Sequence, residues 1–566
     1  MKENMIPLDV LEDKYPKIHK ILDRYESKLE ERCIVDYLTM EENILRFIRS
    51  EKSEDFTKGI KLLMVDEYQD TNRLQEGIYL ELGRHAIHNG GSVIVVGDDD
   101  QSIYRFRGSK VVLFTDLEER AKEFGIRFNT RFLSINYRST PSIISFCNDF
   151  IHVDDKYAKS RISSKPDMYV GRKTYDDYPV FCILEKNKAD LAAKIAELID
   201  EFVTNGEYTF HGTDESEWKI TRDEDGSSAD VGILFNSAKL FKYDGQPRLP
   251  YMIYSELRRR NSDIIAFNPR GTQYRNVDCI RKAIGILGVL LSPEKDYLVG
   301  ESKDLKEEYR RIYAEAKEFI SFAVDSSGRK LSDFVDDFHR RCKANKGSDE
   351  VGTLDVLYSI VPWVPELLDT VEGCSYLEVL TRTIQQSSIF NSRVASLEMN
   401  DKGATNSSMI ELYKLFVSPI LNSSLDIDEE LFETLPDDHL LDIMTIHQSK
   451  GLEFPITIID VSSDFKTNHW RQARNRFPRE SDETSLIDRF INECLGIESP
   501  TGREELDPIF DDLIRKYFVA FSRAQDVLIL VGLDELGVPN MGTGYDRTGK
   551  WKFESKFVGN GIVRMR

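Results

Sequence analysis

A strand-like run from Lys61 to Val65 leads directly into two acidic residues, Asp66 and Glu67. An amphipathic stretch from Leu74 to His85 follows, and a second apolar run begins at Ser92 and ends at Gly97. A strand, a helix and a strand in this order are typical of a parallel α/β sheet, in which chemistry gathers at the carboxyl ends of the strands. We therefore predict an α/β fold with a site at these strand tips.

The alternation of apolar strands and amphipathic helices recurs further along the chain and is interrupted once. Further strands are expected at Val180–Leu184, Asp230–Phe235, Leu441–Thr445, Ile456–Val461 and Val527–Val531. Between about 265 and 438, apolar residues instead recur at helical spacing, as in Val277, Ile280, Ile284, Leu287 and Leu291. We predict a helical domain inserted within the second α/β domain.

The composition restricts the class of protein. The chain has 566 residues, 40% of them hydrophobic, which is enough for several domains with apolar cores. It shows no run of 18 apolar residues and no signal-peptide pattern, so we expect a cytoplasmic protein with no membrane partner. We also expect a prokaryotic origin. The seven cysteines are scattered, which argues against a zinc site, an iron–sulfur cluster or a disulfide framework.

The charge distribution limits how the chain can meet nucleic acid. A net charge of −22 argues against a broad basic binding face but leaves room for a narrow basic groove. The stretch 466–479 is basic and carries Trp470, and the stretch 480–512 that follows is acidic. Both can be solvated loops, or the basic stretch can contact phosphates and bases.

Asp66 and Glu67 are a weak signal alone, but four further polar blocks accompany theirs. The five blocks are Asp66–Asn72, Gly97–Ser109, Asn136–Thr140, Thr445–Phe454 and Val519–Ala524. In this order they resemble motifs II to VI of superfamily 1 DNA helicases of the UvrD, Rep and PcrA type. The stretch Ile34–Leu38 also resembles a segment of that family's first inserted subdomain.

The resemblance implies a catalytic role for several residues and the cofactors ATP and Mg²⁺. Asp66 would hold Mg²⁺ and Glu67 would activate water, a division that suits a hard cation and an oriented nucleophile. Gln101 would sense the γ-phosphate, and two arginines would stabilise the transferring phosphoryl group. The two arginines are Arg138 and Arg523.

The resemblance also implies binding residues for nucleotide and DNA. Tyr137 would stack on adenine, and Gly451 and Glu453 would approach the nucleotide, with Glu453 on the ribose. DNA would be single-stranded or partly duplex and would be contacted by Tyr104, Arg105, Phe106, Arg107, Thr445, His447 and Trp470. Phe106 stands where the family usually has Trp, and Asn236 stands where it commonly has Arg.

The implied domains follow the motifs. A RecA-like architecture with parallel sheets is expected, partial in the first domain and complete in the second, with an inserted α-helical domain. The expected bounds are 1–60 for a remnant of the first helical insert, 61–130 for the first RecA-like domain, 131–264 and 439–566 for the second, and 265–438 for its helical insert.

One element of an ATPase site is missing from the sequence. The phosphate loop requires Gly-x-x-x-x-Gly-Lys-Ser/Thr, and Gly-Lys occurs once, at Gly549-Lys550, with Gly544 correctly spaced but Trp551 in the hydroxyl position. That segment is more typical of a Gly-rich turn before a terminal strand. The chain thus resembles the C-terminal portion of the family, with motifs II to VI and without the upstream ones.

Three interpretations remain open. The chain can be one subunit of a split helicase or translocase whose phosphate loop comes from a second polypeptide, active as an ATP hydrolase only with that partner. It can be an ATPase-inactive, helicase-derived DNA-binding or scaffold subunit of a repair or phage-defence complex. It can also be a truncated gene product.

Overall fold

A computed structural model describes most of the chain. The described residues are 5–6, 8–31, 33–105, 108–152, 155–162, 164–173, 175–222, 226–242, 246–261, 264–268, 274–291, 300–344, 350–369, 371–398, 402–422, 440–461, 494, 507–533 and 562–565. They divide into two compact units. The first comprises Met1–Leu191, Tyr208–Ile220 and Ser449–Arg566, and the second comprises Ala192–Glu207 and Thr221–Gln448.

Helices and strands alternate along the first part of the chain. In order they are α1 Val10–Lys14, α2 Pro16–Glu31, α3 Tyr37–Ile48, α4 Glu54–Thr57, β1 Leu62–Val65, α5 Arg73–His88, β2 Ser92–Val95, α6 Val111–Thr115, α7 Leu117–Glu123, β3 Ile135–Asn136, α8 Pro141–Ile151, β4 Tyr169–Val170, β5 Val180–Glu185, α9 Lys188–Asn205, β6 Glu207–His211 and β7 Glu217–Thr221.

Helices dominate the middle of the chain, and strands return towards its end. The remaining elements are β8 Val231–Phe235, α10 Leu249–Arg260, β9 Ile265–Phe267, α11 Asp278–Leu291, α12 Lys303–Phe322, α13 Leu331–Ala344, β10 Glu350–Gly352, α14 Thr353–Ile360, α15 Glu366–Asp369, α16 Val371–Phe390, α17 Ser392–Ala395, β11 Ser396–Glu398, α18 Lys402–Leu412, α19 Ser418–Asn422, β12 Leu440–Thr445, β13 Phe454–Asp460, α20 Asp507–Phe521, β14 Ala524–Leu533 and β15 Ile562–Arg564.

The strands β1 and β2 form a two-stranded parallel sheet in the first unit. Helix α5 connects them and begins at a capping box in which Asn72 and Gln75 satisfy each other's backbone N–H groups. One face of the sheet packs into a core through apolar side chains of both strands. These side chains are Leu63, Val65, Val93 and Val95. The residues that follow both strands lie at the same edge of the sheet.

Four strands of the first unit form parallel pairs in the order β15-β5-β14-β13. Strand β14 contributes Leu528, Ile529, Leu530 and Val531, all fully buried. A continuous apolar run of this kind is typical of a parallel strand covered on both faces. The strands place Arg523 immediately before β14 and Glu453 immediately before β13.

The second unit contains three parallel strands and a helical core. Strand β12 lies between β8 and β9. Helices α11 to α19 enclose an apolar cluster that includes Ile280, Ile312, Leu380 and Phe416. The mixed α/β class and the helical stretch within 265–438 are therefore confirmed, and the five domain boundaries stay predictions.

A partly buried carboxylate in β12, Asp442, makes the stability of the second unit sensitive to pH. Burial raises the pKa of Asp442 to about 6, above its usual value near 3.9. A raised folded-state pKa means that the unfolded chain releases this proton first, so stability falls as the pH rises from about 4 to 6. We expect Asp442→Asn to add about 2 kcal/mol at pH 7.5.

The measurement is urea unfolding of the two proteins between about pH 4.5 and 8. The difference in stability should shrink at the acid end, where Asp442 becomes protonated in the folded state. Asp336→Asn is the matched control, because Asp336 is exposed. A constant difference across the whole range would show that the pKa of Asp442 is ordinary.

Candidate functional site

The tip of β1 presents two adjacent carboxylates. Asp66 and Glu67 follow the strand directly, and Asp66 Oδ1 accepts the N–H of Glu67 at 2.8 Å. Glu67 has φ 49° and ψ 39°, in the left-handed region. A residue held there costs of order 1 kcal/mol or more, and such strain is found where surroundings fix a functional group. The backbone N–H of Tyr68, which donates to Val96 O at 3.0 Å, is one such restraint.

Lys450 approaches this tip from a distant part of the chain. Its Nζ lies 3.1 Å from Glu67 Oε2, forms an ion pair with Asp70 and donates to the carbonyl of Gln101 at 3.1 Å. The Lys450 side chain is only 7% exposed. The charge of Glu67 is therefore balanced within the first unit by a buried cation. Lys450 stands inside the block Thr445–Phe454, but its identity alone gave no reason to assign it a role.

The tips of β1 and β2 are joined by the side chain of Gln69. Its Oε1 accepts the N–H of Asp98 at 2.9 Å, and its Nε2 donates to Glu67 Oε2. Gln101 lies one turn beyond Asp98 and donates from Nε2 to Asp98 Oδ2 at 2.8 Å. The structure thus brings Gln101 to the same edge as Glu67, as expected for the tips of two parallel strands.

Arg138 and Glu453 form a pair at the end of β3. Arg138 Nε lies 2.5 Å from Glu453 Oε2, and Nη1 donates to the carbonyl of Ser522 at 3.1 Å. The other carboxylate oxygen of Glu453 accepts from Gln525 Nε2 at 2.8 Å. Blocks separated by hundreds of residues therefore meet around one carboxylate.

Arg523 is buried beside this pair, at 2% exposure. Its guanidinium donates to the carbonyls of Val519 and Leu452 at 2.9 and 3.0 Å, and to Ser522 Oγ at 3.0 Å. Burial and the neighbouring charge of Arg138 lower the pKa of Arg523 to about 10, whereas the charge of Glu67 opposes that shift. Arg523 is therefore within electrostatic reach of Glu67 and Arg138.

Three consecutive aspartates follow β2, and their carboxylate oxygens lie within 4.8 Å of one another. Lys165 pairs with all three, at 2.8 Å from Asp99 and 2.6 Å from Asp100. Arg161 donates two hydrogen bonds of 2.7 Å to Asp100, which is fully buried. Side chains of the chain itself thus pair with all three aspartates, and we assign this cluster a structural role.

The same network reaches helix α20. Arg515 donates from Nε to the carbonyl of Asp99 at 3.0 Å, and Arg105 Nε lies 2.5 Å from Asp512 Oδ2. Burial raises the pKa of Asp512 although Arg105 and Arg515 oppose the shift. Arg105 was predicted to contact DNA, and in this structure its Nε faces a buried carboxylate.

The other residues predicted to bind nucleotide or DNA differ in their surroundings and exposure. Tyr104 lies beside Lys450, whose Nζ is 5.3 Å from the ring centroid, and Tyr137 is 71% exposed. Gly451 has φ +86°, which other residues rarely adopt. The remaining predicted positions, Phe106, Arg107, Trp470 and the segment 544–551, lie outside the described residues.

Thr445 and His447 lie in the second unit. Thr445 ends β12, and both its N–H and its hydroxyl donate to Gln448 Oε1 at 2.9 Å. His447 follows in the turn and is partly buried. The turn is therefore fixed by contacts within its own segment.

The residues at the tip of β1 fit a magnesium ion. Asp66 is exposed, and its Oδ1 accepts the adjacent N–H. Magnesium prefers one or two carboxylates together with water and phosphate oxygens. An exposed carboxylate on an open edge suits that preference, whereas the aspartates after β2 are already paired with cations.

The fold and this edge define the class of protein to which the chain is similar. Residues 2–122 match the family described as the UvrD/REP helicase N-terminal domain. That range contains β1, β2 and both of their tips. The predicted resemblance to UvrD-like helicases is confirmed over this range, whereas the matched domain is N-terminal and does not support a resemblance to the C-terminal portion alone.

Curated relatives extend the similarity along the chain. Over 91% of its length the chain is 22% identical to the A subunit of the ATP-dependent helicase/nuclease of Staphylococcus haemolyticus strain JCSC1435. It is 23% identical to the protein of that name from Oceanobacillus iheyensis strain DSM 14371, and 25% identical to that from Staphylococcus aureus strain MW2. The chain spans 43 to 44% of the length of these relatives.

No helix among the described residues is long and apolar enough to cross a membrane. This finding accords with the absence of an 18-residue apolar run in the sequence. The relatives named above are bacterial proteins.

Proposed function

We propose that the first unit is the ATP-hydrolysing part of a UvrD-like superfamily 1 helicase or translocase, with RecA-like domains, that acts on DNA. One observation carries the proposal: Glu67, Arg138 and Glu453, from three other sequence blocks, each lie within electrostatic reach of the buried Arg523. A core needs no such convergence, because burying charges is costly. A phosphoryl-transfer site needs both a carboxylate for water and arginines for the developing charge.

The two carboxylates after β1 would have different roles in ATP hydrolysis, one in binding Mg²⁺ and the other in activating water. Asp66 would hold Mg²⁺, which would neutralise phosphate charge. Glu67 would orient the attacking water and accept its proton at the carboxylate oxygen. Lys450 and Gln69 both contact Oε2 of this carboxylate, so we assign the contact with water to Oε1.

The arginines would act when the nucleotide reaches the strand tips. Arg138 can turn from Glu453 towards a phosphate, because its side chain is 30% exposed. Arg523 is held by three acceptors and would act as a fixed positive charge. Gln101 would report the γ-phosphate through Asp98, its hydrogen-bond partner.

Each unit has its own proposed DNA contacts. Tyr104 and Arg105 follow the tip of β2 in the first unit, and in the second Thr445 ends β12 and His447 follows it. We also retain Phe106, Arg107 and Trp470 as predicted DNA contacts. Together such residues would combine aromatic stacking with phosphate contact, a mode of binding that is tolerant of sequence.

The phosphate loop of this motor would be supplied by residues outside this sequence, which contains no Gly-x-x-x-x-Gly-Lys-Ser/Thr. Our proposal assigns it to a second polypeptide. Support comes from the open face of the β1–β2 sheet, where Leu62, Met64, Ile94 and Val96 are 43 to 66% exposed. Parallel sheets are ordinarily covered on both faces.

An ATPase assay tests the proposal directly. The chain is mixed with a polypeptide that carries the phosphate-loop half of a UvrD-like domain, and ATP hydrolysis is measured with and without single-stranded DNA. We expect turnover only in the mixture, stimulated by DNA. If neither the chain nor the mixture hydrolyses ATP, the split-motor proposal is wrong.

The alternative is an ATPase-inactive scaffold or DNA-binding subunit of a repair or defence complex. The observation in its favour is that Glu67, Glu453 and Arg523 already have partners within the chain. Binding of DNA by the mixture without any ATP turnover would favour this alternative.

The open face of the β1–β2 sheet gives a further expectation. At micromolar concentrations the isolated chain should self-associate through this face, because exposed contiguous apolar surface favours association. We expect Met64→Lys to reduce self-association by about tenfold or more, since it places a charge in the centre of the patch. Sedimentation velocity across a concentration series is the measurement.

Met40→Lys is the matched control, because Met40 is also exposed, at 43%, but lies on α3. The control should associate as the unmodified chain does. Monomeric behaviour of the unmodified chain at high concentration would contradict the expectation.

A further inference from the structure

The end of β4 lies directly behind Tyr137, a residue for which the motor proposal requires an open aromatic face. Strands β3 and β4 are parallel, with Asn136 opposite Val170. The next residue, Gly171, donates its N–H to the carbonyl of Asn136 at 2.7 Å. The backbone of Gly171 is thus tied to the residue that precedes Tyr137.

Gly171 leaves space that any side chain would fill. A Cβ at Gly171 would lie 2.8 Å from both Cδ1 and Cε1 of Tyr137, and 2.4 Å from Cγ2 of Ile135. Carbon atoms in contact lie about 3.5 to 4.0 Å apart. The Tyr137 ring therefore rests against the glycine, while 71% of the residue stays exposed.

Arg172, the next residue, links this strand end to the backbone on the other side of Tyr137. Its Nη1 donates to the carbonyls of Arg138 and Gln525, both at 3.2 Å. The same nitrogen lies 2.7 Å from Asp526 Oδ1. Backbone on both sides of Tyr137 is therefore fixed to the end of β4, and a larger residue at position 171 must displace the ring.

We propose that Gly171 is a positioning residue that holds the Tyr137 ring where an adenine base stacks. The inference rests on the proposed function, in which Tyr137 contacts the base. Gly171 itself touches no nucleotide in this arrangement. Its contribution is the absence of a Cβ on a strand end anchored by Asn136 and Arg172.

The first experiment follows the ring without any nucleotide. The full 566-residue chain carries 3-fluorotyrosine at position 137 alone, and its ¹⁹F resonance is compared with that of the Gly171→Ala variant. We expect a clear change in chemical shift. Gly59→Ala, at a glycine with no heavy atom within 4 Å, should leave the resonance in place.

A second variant distinguishes the clash with the Tyr137 ring from the clash with Ile135. Ile135→Ala removes the closer of the two clashes, so Gly171→Ala in that background tests the contact with Tyr137 alone. The resonance should still move. An unmoved resonance in both backgrounds overturns the positioning role, whatever the chain binds.

The nucleotide arm uses adenosine, whose binding does not require a phosphate loop, with ribose as the control. Adenosine should shift the resonance of the unmodified chain, and Gly171→Ala should weaken its affinity about fivefold or more, the lower range for loss of one base stack. Gly59→Ala should bind as the unmodified chain does. Equal weakening by Gly59→Ala would overturn the inference.

The two arms separate the inference from the function on which it rests. If Gly171→Ala moves the ring but adenosine leaves the unmodified chain unaffected, the base-binding role of Tyr137 is wrong and Gly171 positions no nucleotide site. If adenosine binds normally to Gly171→Ala with a displaced ring, the stacking geometry is wrong while nucleotide binding stands.

Discussion

Glu67→Gln is expected to lower the ATPase activity of the complemented protein by about 10²- to 10⁴-fold, the range for losing a positioned general base. The amide keeps the size of the side chain but cannot accept a proton from water. Turnover of ATP with saturating single-stranded DNA is the measurement. Assembly with the phosphate-loop polypeptide should be unchanged, because Glu67 lies at the strand tip and not on the open apolar face.

Glu119→Gln provides the matched control, since Glu119 is exposed on α7. It should hydrolyse ATP at the unmodified rate. A Glu67→Gln protein that retains more than about a tenth of the activity would show that another group activates water. Loss of assembly in that variant would instead indicate a structural role for the contact with Lys450.

Asp100→Ala is expected to destabilise the first unit by about 3 to 5 kcal/mol, the range for removing one partner of a buried ion pair. Asp100 is fully buried and receives hydrogen bonds from Arg161, Lys165 and the hydroxyl of Tyr157. Without it, two cations remain buried with less compensating charge. Urea unfolding, together with hydrogen exchange of peptides from 98–105 and α20, measures the effect.

The pH dependence of this variant has a defined sign. Although burial opposes ionisation, hydrogen bonds and charge from Arg161 and Lys165 hold the pKa of Asp100 well below its usual value near 3.9. A depressed pKa contributes stability above the unfolded value, and that contribution is lost as the pH falls through the folded one. The unfolding curves of the two proteins should therefore converge in acid.

Two comparison variants distinguish the loss of the Asp100 charge from the loss of its side-chain volume and from the effect of removing any aspartate. Asp100→Asn keeps the volume of the side chain and should retain most of the destabilisation, whereas Asp55→Ala changes an aspartate that is 92% exposed and should be nearly neutral. A small effect of both Asp100 variants at neutral pH would mean that Asp98 and Asp99 suffice to balance Lys165 and Arg161.

The apolar periodicity located the elements well. Strand β1 ends at Val65 as predicted, and the strands predicted at Val180 and Val527 form β5 and β14 with small extensions. These predictions succeed because a parallel strand must be apolar along a short continuous run. The order of polar blocks also located the tips of β1 and β2 at one edge.

The side-chain pairings could not be predicted in the same way. Lys450 was assigned only to a block, and nothing local shows that it would be buried against Glu67 and Asp70. Lys165 and Arg161 lie in a segment without any recognised motif. Which cation meets which carboxylate depends on how distant segments pack, and on the cost of leaving a buried charge unpaired.

Strand patterns and the residues that follow them are local features, so the amino-acid sequence was enough to predict parallel α/β strands whose tips carry Asp66, Glu67 and Gln101. The ion pair between Lys450 and Glu67, the burial of Arg523 and the pairing of the aspartates after β2 with cations became evident only in the folded chain. Those outcomes depend on contacts between residues far apart in the chain, where burial and charge pairing must be satisfied together.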